Sequence, residues 1–328
     1  MKSLTSSAMW GGQSWLSGWA CPTRCFYGLG TTYNTKTMDH FRVGPLEISR
    51  VEETRTQFDA GMFYPDLARD TVARYASWLA PYFDIDAHSF PCVFQSFVVR
   101  HRKTTILIDT CFGNNKERPE FELGHRLNNP YLDRLRAASC GPEDVDIVLC
   151  THFHVDHVGW NTRLDNGRWV PTFPNARYIF SREEYQRFAP ENRTDEPPPF
   201  LDIFEDSVLP VIQSGQAEFV SGEQAVHELL TVFPAPGHTP GHIAIRAAGG
   251  EDTGIFLGDV IHNPIQIAEP DLNSAFCEDG PQARASRRKL LDEAAEHNQL
   301  LIPGHFCAPH VGRVKAAGNG FVFRGGLE

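Results

Sequence analysis

Three histidines and one aspartate fall within six residues of this chain, in the run His152-Phe153-His154-Val155-Asp156-His157. Neutral imidazole and carboxylate are the ligand types that suit zinc and its first-row neighbours. Four such groups at this spacing do not all reach one ion comfortably, and two adjacent ions sharing them is the easier geometry. Three further residues of the same chemical type stand singly downstream. They are His238 in Pro236-Gly237-His238-Thr239-Pro240-Gly241-His242, Asp259 in Gly258-Asp259-Val260-Ile261, and His305 in Pro303-Gly304-His305. Each of the four places follows a short apolar run and is flanked by Gly or Pro. Loops held at the ends of rigid elements are where chemistry is carried. A scatter of surface histidines does not account for four strand ends being chosen.

The elements that must position these groups are legible as periodicity. Val145 to Cys150 reads as a buried strand that delivers the histidine run. Leu229 to Phe233, Gly254 to Leu257 and Leu300 to Ile302 do the same for His238, Asp259 and His305. Val43 to Ile48 reads as a first strand, and Val93 to Arg100 with Thr104 to Asp109 as a hairpin turning at His101-Arg102-Lys103. Ala176 to Phe180 and His242 to Ala247 are further strands, and Val311 to Phe323 reads as a closing strand pair. Helices are expected over Asp66 to Leu79, Tyr131 to Ser139, Pro281 to His297, and from the capping box Ser181-Arg182-Glu183-Glu184 through Phe188. Strands first, then helices interleaved with more strands, give an α/β chain of two sheets with helices outside. Residues 39–328 read as one domain, its halves alike in content. Residues 1–38 read as an extension, either poorly ordered or with Trp10, Trp15 and Trp19 packed on the domain or on a partner subunit, which leaves a homodimer open. The proline-rich stretch 190–199 reads as a loop at a substrate entrance.

Composition removes several classes. The chain has 328 residues, 41 acidic against 30 basic side chains and a formal charge of -11, with no basic surplus for nucleic acid. No run is long and apolar enough for a membrane span. The eight cysteines lack a paired spacing, so they read as free thiols in a reducing compartment. With no apolar core to a signal peptide, a cytoplasmic protein is expected.

The run 152–157 matches the HxHxDH motif of the metallo-β-lactamase superfamily of hydrolases, which the chain resembles over roughly residues 41–328. It is similar in particular to the branch of methyl parathion hydrolase and related lactonases. That likeness is carried by Gly258-Asp259-Val260-Ile261, the helix from Pro281, and the closing His305-Phe306, Gly312-Arg313-Val314 and Gly318-Asn319-Gly320-Phe321. The resemblance implies an αββα sandwich and a cofactor of two divalent ions, Zn2+ before Fe, Mn or Co. One ion falls to His152, His154 and His238, the other to Asp156, His157 and His305, with Asp259 bridging. The implied chemistry is a hydroxide held between two ions about 3.5–4 Å apart, attacking a lactone or carboxylic ester, with Asp156 passing a proton to the leaving group. A small uncharged substrate of the acyl homoserine lactone type is favoured, with aryl esters or phosphotriesters as side activities. An organophosphate triester hydrolase and an amide or thioester hydrolase are the alternatives. A non-catalytic metal-binding module would need a missing ligand, and none is missing.

Other residues are candidates for backing the ligands or lining a pocket. Asp109 ends an apolar strand, a costly place for an acid without a partner; a bond to a metal-binding histidine and a turn cap are its two readings. Thr151 precedes the first histidine. His242 reads as support for the His238 loop, and His262 as facing either substrate or the fold. Trp160 and Phe306 are pocket walls or core. Phe58, Met62, Phe63 and Tyr64 form a lid or core. Tyr178 and Tyr185 stand in the stretch where related lactonases carry a tyrosine near the metals. His88, His101, His125, His227, His297 and His310 read as ordinary.

Overall fold

Phe97-Val98-Val99 and Ile106-Leu107-Ile108 are apolar at every position and buried at every position. Strands with that composition have both faces covered, and the computed structural model, which describes residues 39–189 and 202–327, shows by what. The first sheet holds seven strands. They are β1 (His40–Val43), β2 (Leu46–Asp59), β3 (Ser89–His101), β4 (Thr104–Ile108), β5 (Ile147–Leu149), and, after the small hairpin β6 (Thr162–Asp165) and β7 (Arg168–Pro171), β8 (Arg177–Ser181) and β9 (Ala217–Val220). The second sheet also has seven, in sequence order: β10 (Gln224–His227), β11 (Leu230–Pro234), β12 (Ile243–Gly249), β13 (Asp252–Phe256), β14 (Leu300–Ile302), β15 (Gly312–Ala317) and β16 (Gly320–Gly325). β4, β5, β8 and β9 pair in parallel, as do β13 and β14; the remaining neighbours are antiparallel.

Alternate side chains sort into two cores. Phe97, Val99, Ile106, Ile108, Ile147 and Leu149 meet Val232, Ile245, Phe256 and Ile302 between the sheets. The intervening Val98, Leu107 and Val148 point outward to Tyr131 and Leu135 of a helix. On the second sheet, Ile255 and Leu301 share that outer core with Leu290, Leu291 and Ala294 of helix Gly280–Glu296. The layers are therefore helix, sheet, sheet, helix.

Three local readings change. Val43 to Ile48 is a hairpin rather than one strand, because Gly44 turns at φ 54 where an added Cβ would lie 2.2 Å from the Gly249 carbonyl oxygen. The expected helix over 66–79 is two short ones, Arg69–Arg74 and Ala76–Leu79, since Tyr75 leaves helical geometry at φ -106, ψ 7. The β6–β7 hairpin adds two strands after Asn161, turning at Asn166-Gly167, both at positive φ and a standard hairpin turn pair. Residues 1–38 and the 190–199 loop lie outside the described residues. Among the described residues, no helix is long and apolar enough to cross a membrane.

Candidate metal centre

All the residues singled out for metal chemistry lie at the C-terminal ends of strands on one edge of the sandwich: Asp109 after β4, residues 151–157 after β5, His238 after β11, Asp259 after β13 and His305 after β14. A one-turn helix, Val155–Val158, follows His154 and sets Asp156 beside His157. Its position is fixed by the segment leaving β4. Thr110 N–H donates to the His157 carbonyl, Gly159 N–H to Cys111 and Trp160 N–H to Thr110. This approach is so close that a Cβ on Gly159 would stand 1.7 Å from the Phe112 carbonyl oxygen.

The side chains converge in two groups that share one residue. One ligand atom each from His152, His154, His238 and Asp259 lie within 4.8 Å of one another, and so do those of Asp156, His157, Asp259 and His305. Asp259 offers one oxygen to each group. Its Oδ2 is 3.1 Å from His238 Nε2 and 3.7 Å from His152 Nε2. Its Oδ1 is 3.1 Å from His157 Nε2 and 2.9 Å from His305 Nε2. Asp156 Oδ2 lies 3.3 and 3.5 Å from the same two nitrogens. His152 Nε2 and His157 Nε2 are buried and make no hydrogen bond. Buried polar atoms are otherwise paired, so a cation among these nitrogens and carboxylates fits the donor set.

The far sides of the rings are held by the protein. His157 Nδ1–H donates to Asp109 Oδ2 at 2.9 Å. The Thr151 hydroxyl donates to the same carboxylate at 3.0 Å, its amide does so at 2.8 Å, and its oxygen lies 3.0 Å from His152 Nδ1. One carboxylate thus orients a histidine of each group and turns both Nε2 atoms inward. His305 Nδ1 donates to the Val93 carbonyl at 2.9 Å.

Electrostatics put His152, His154, His238, Asp156 and Asp259 in ligand form. Burial pushes His154 down to about 3 and His238 to about 4, and His152 well below the usual imidazole range. Burial works the other way on Asp156, but His157 and His305 outweigh it and hold that carboxyl at about 2; Asp259 is held well down likewise. Against the pull of burial, the surrounding carboxylates raise His157 and His305, and a field that favours a proton there favours any cation.

The remaining candidates divide. His262 Nε2 is 3.2 Å from Asp259 Oδ2, its ring 5.2 Å from that of Phe63. His242 braces the His238 loop through its main chain, its carbonyl accepting Ala235 N–H and its N–H donating to Thr239, and its Nε2 also accepts the Asp259 N–H at 3.0 Å. Trp160 is core, stacked on Tyr131 with Nε1 donating to Glu53, and Phe306 packs on Phe323 in the interior. Phe63 and Tyr64 are buried while Met62 is exposed, so this stretch is core rather than lid. Tyr178 spends its hydroxyl on the Asn161 carbonyl, and Tyr185 packs on Phe204 and Phe219. A third group, His101, His227 and Glu228, gathers at the opposite strand ends. There Arg102 already pairs with Glu228, and His227 Nδ1 accepts the Leu229 N–H.

Residues 91–305 match the model of the metallo-beta-lactamase superfamily, and the chain belongs to that superfamily. Among curated proteins, it is 26% identical over 187 residues to the N-acyl homoserine lactonase AttM of Rhizobium radiobacter, a match covering 53% of this chain and 63% of that protein. It is 22% identical over 168 residues to the probable metallo-hydrolase YflN of Bacillus subtilis, covering 48% and 63%. Two of the solved structures that share the fold illustrate it. They are AidC, a dizinc quorum-quenching lactonase in complex with a product (TM-score 0.71, 20% identity, 88% of this chain and 97% of that one), and the hydrolase AbOPH (TM-score 0.74, 22% identity, 88% and 97%). Family and side-chain groups together support divalent metal use.

Proposed function

We propose that this protein is a dinuclear metal-dependent hydrolase that opens lactones, N-acyl homoserine lactones foremost. The observation that carries the reading is the pair of buried His/Asp groups joined through the two oxygens of Asp259. His152, His154 and His238 would hold one ion, Asp156, His157 and His305 the other, with Asp259 between them. When bound, two such ions supply Lewis acidity and bring the pKa of water toward neutrality. Asp156 Oδ2 is held ionised by His157 and His305, which leaves it able to accept a proton and return it to the departing alkoxide. His262 Nε2 stands 3.2 Å from Asp259 Oδ2 and would hold that carboxylate in place. The rings of Phe63 and Phe94 lie 5.2 and 5.3 Å from those of His262 and His305, surroundings that suit an uncharged acyl substrate and penalise a charged one. The AttM and YflN matches span less than two thirds of those proteins, and the named activity of AttM supports the substrate class.

The test is proton release on adding a long-chain acyl homoserine lactone to zinc-loaded and chelator-stripped protein. Release that needs metal, and that is lost in His154→Ala with the fold intact, is expected. Activity surviving in the variant refutes the mechanism. No release from metal-loaded protein refutes the lactone and turns the search to phosphotriesters and aryl esters.

A further inference from the structure

Helix Arg182–Phe188 carries no residue of either group, yet it touches the loops that supply three of the ligands. Glu184 lies at its third position and is fully buried. Ser181 caps the helix by accepting the Glu184 N–H, and a capping box would send the Glu184 carboxylate back to that cap. Instead the Thr239 hydroxyl donates to Glu184 Oε1. The backbone amides of Gly241 and Phe153 lie near this carboxylate, whose Oε2 is buried and makes no hydrogen bond. Thr239 follows His238, and Phe153 sits between His152 and His154.

Main-chain packing agrees. A Cβ on Gly241 would lie 2.2 Å from the Glu184 nitrogen, so loop and helix meet backbone to backbone. The Phe153 ring is clamped by Phe180 and Phe188 at 5.1 and 5.8 Å between centroids. The loop with His152 and His154 belongs to the first sheet, and the loop with His238 to the second. Asp109 reaches His157 and Thr151, and the two loops share one main-chain bond, Ile243 N–H to the Thr151 carbonyl at 2.9 Å; Glu184 adds a side-chain link to the His238 loop.

We infer that Glu184 is a positioning residue: its buried carboxylate accepts the Thr239 hydroxyl where its helix packs on Phe153 and Gly241, and so sets His152, His154 and His238 at metal-binding distance. This rests on the proposed metal centre and adds a residue to it. The role is specific to one group, because neither Asp156, His157 nor His305 is held by Glu184.

The experiment is zinc affinity, measured on chelator-stripped full-length protein by competition with a chromophoric chelator. Wild-type protein should bind two equivalents; fewer would overturn the metal centre itself. In a His305→Ala background, which keeps His152, His154 and His238, adding Glu184→Leu should weaken zinc 10–100-fold, the usual effect of removing a ligand's outer partner. Glu184→Gln, which keeps one acceptor for Thr239, should recover part of that loss and serves if the leucine variant does not fold. In a His238→Ala background, which keeps the other group, either change should leave affinity within about twofold, because an independent site does not couple. Unchanged affinity in the His305→Ala background, or equal weakening in both, overturns the proposal.

Discussion

Replacing Asp109 by Asn changes one atom at the point where both histidine groups are oriented. The backbone tolerates it, since Asp109 sits at φ 54, a conformation that Asn adopts readily. The carboxylate accepts from three donors: the Thr151 amide at 2.8 Å, the Thr151 hydroxyl at 3.0 Å and His157 Nδ1–H at 2.9 Å. An amide has one oxygen to offer. If its NH2 takes the Oδ2 position it donates to His157 Nδ1, which moves the ring proton to Nε2, the nitrogen that faces Asp259. If it takes the Oδ1 position it meets the Thr151 N–H donor to donor. Either way one charge-assisted bond is lost, worth about 1.5–3 kcal/mol, or roughly 10–150-fold in zinc affinity. Chelator competition on stripped protein measures it, with a thermal melt to show that the fold persists. A variant that binds both equivalents within threefold of wild type refutes the reasoning.

Three further outcomes are expected. Gly159→Ala pushes a methyl into the Phe112 carbonyl and should cost about 3 kcal/mol, a fall of roughly 4–5 °C in melting midpoint for a chain of this size; an unchanged midpoint counts against the close approach. Arg287 is buried and spans the Val260, Pro270 and Leu272 carbonyls at 2.7–2.8 Å, so Arg287→Lys should leave carbonyls unpaired at about 2–5 kcal/mol, read by denaturant unfolding. Burial, aided by Arg118 and opposed by Asp206, pushes Lys116 down to about 7. Its unfolded value is near 10.5, so between pH 7 and 10.5 the unfolded chain binds more protons and stability rises with pH. Lys116→Met should flatten that rise, and equal slopes in both proteins would contradict it.

The strand ends bearing His152, His238, Asp259 and His305 were legible because each signal is local: an apolar run, then Gly or Pro, then the ligand type. The strands β3 and β4 were legible as apolar runs for the same reason. What local pattern hides is a partner far along the chain. Glu184 looks complete as part of a capping box, and only the Thr239 hydroxyl, 55 residues away, reveals its other use. His242 braces the neighbouring His238 loop and also serves the Asp259 amide, 17 residues on. Glu53 and Arg287 look like surface charges until the Trp160 indole and the Val260 carbonyl are found against them. The helix expected over 66–79 has the right periodicity, but Tyr75 leaves helical geometry midway.

Each ligand group draws on both sheets: His152 and His154 from the first with His238 and Asp259 from the second, then Asp156 and His157 from the first with Asp259 and His305 from the second. The centre therefore lies across a seam. Any fluctuation that parts the sheets at this edge also pulls the ligands apart, so release of an ion and breathing of the sandwich are the same event. On the proposed metal centre, ions seated there would act as a clasp, and amide protons of β5, β13 and β14 should exchange more slowly when metal is bound. The lifetime of the folded edge and the residence time of the metal are then one clock, read from either side.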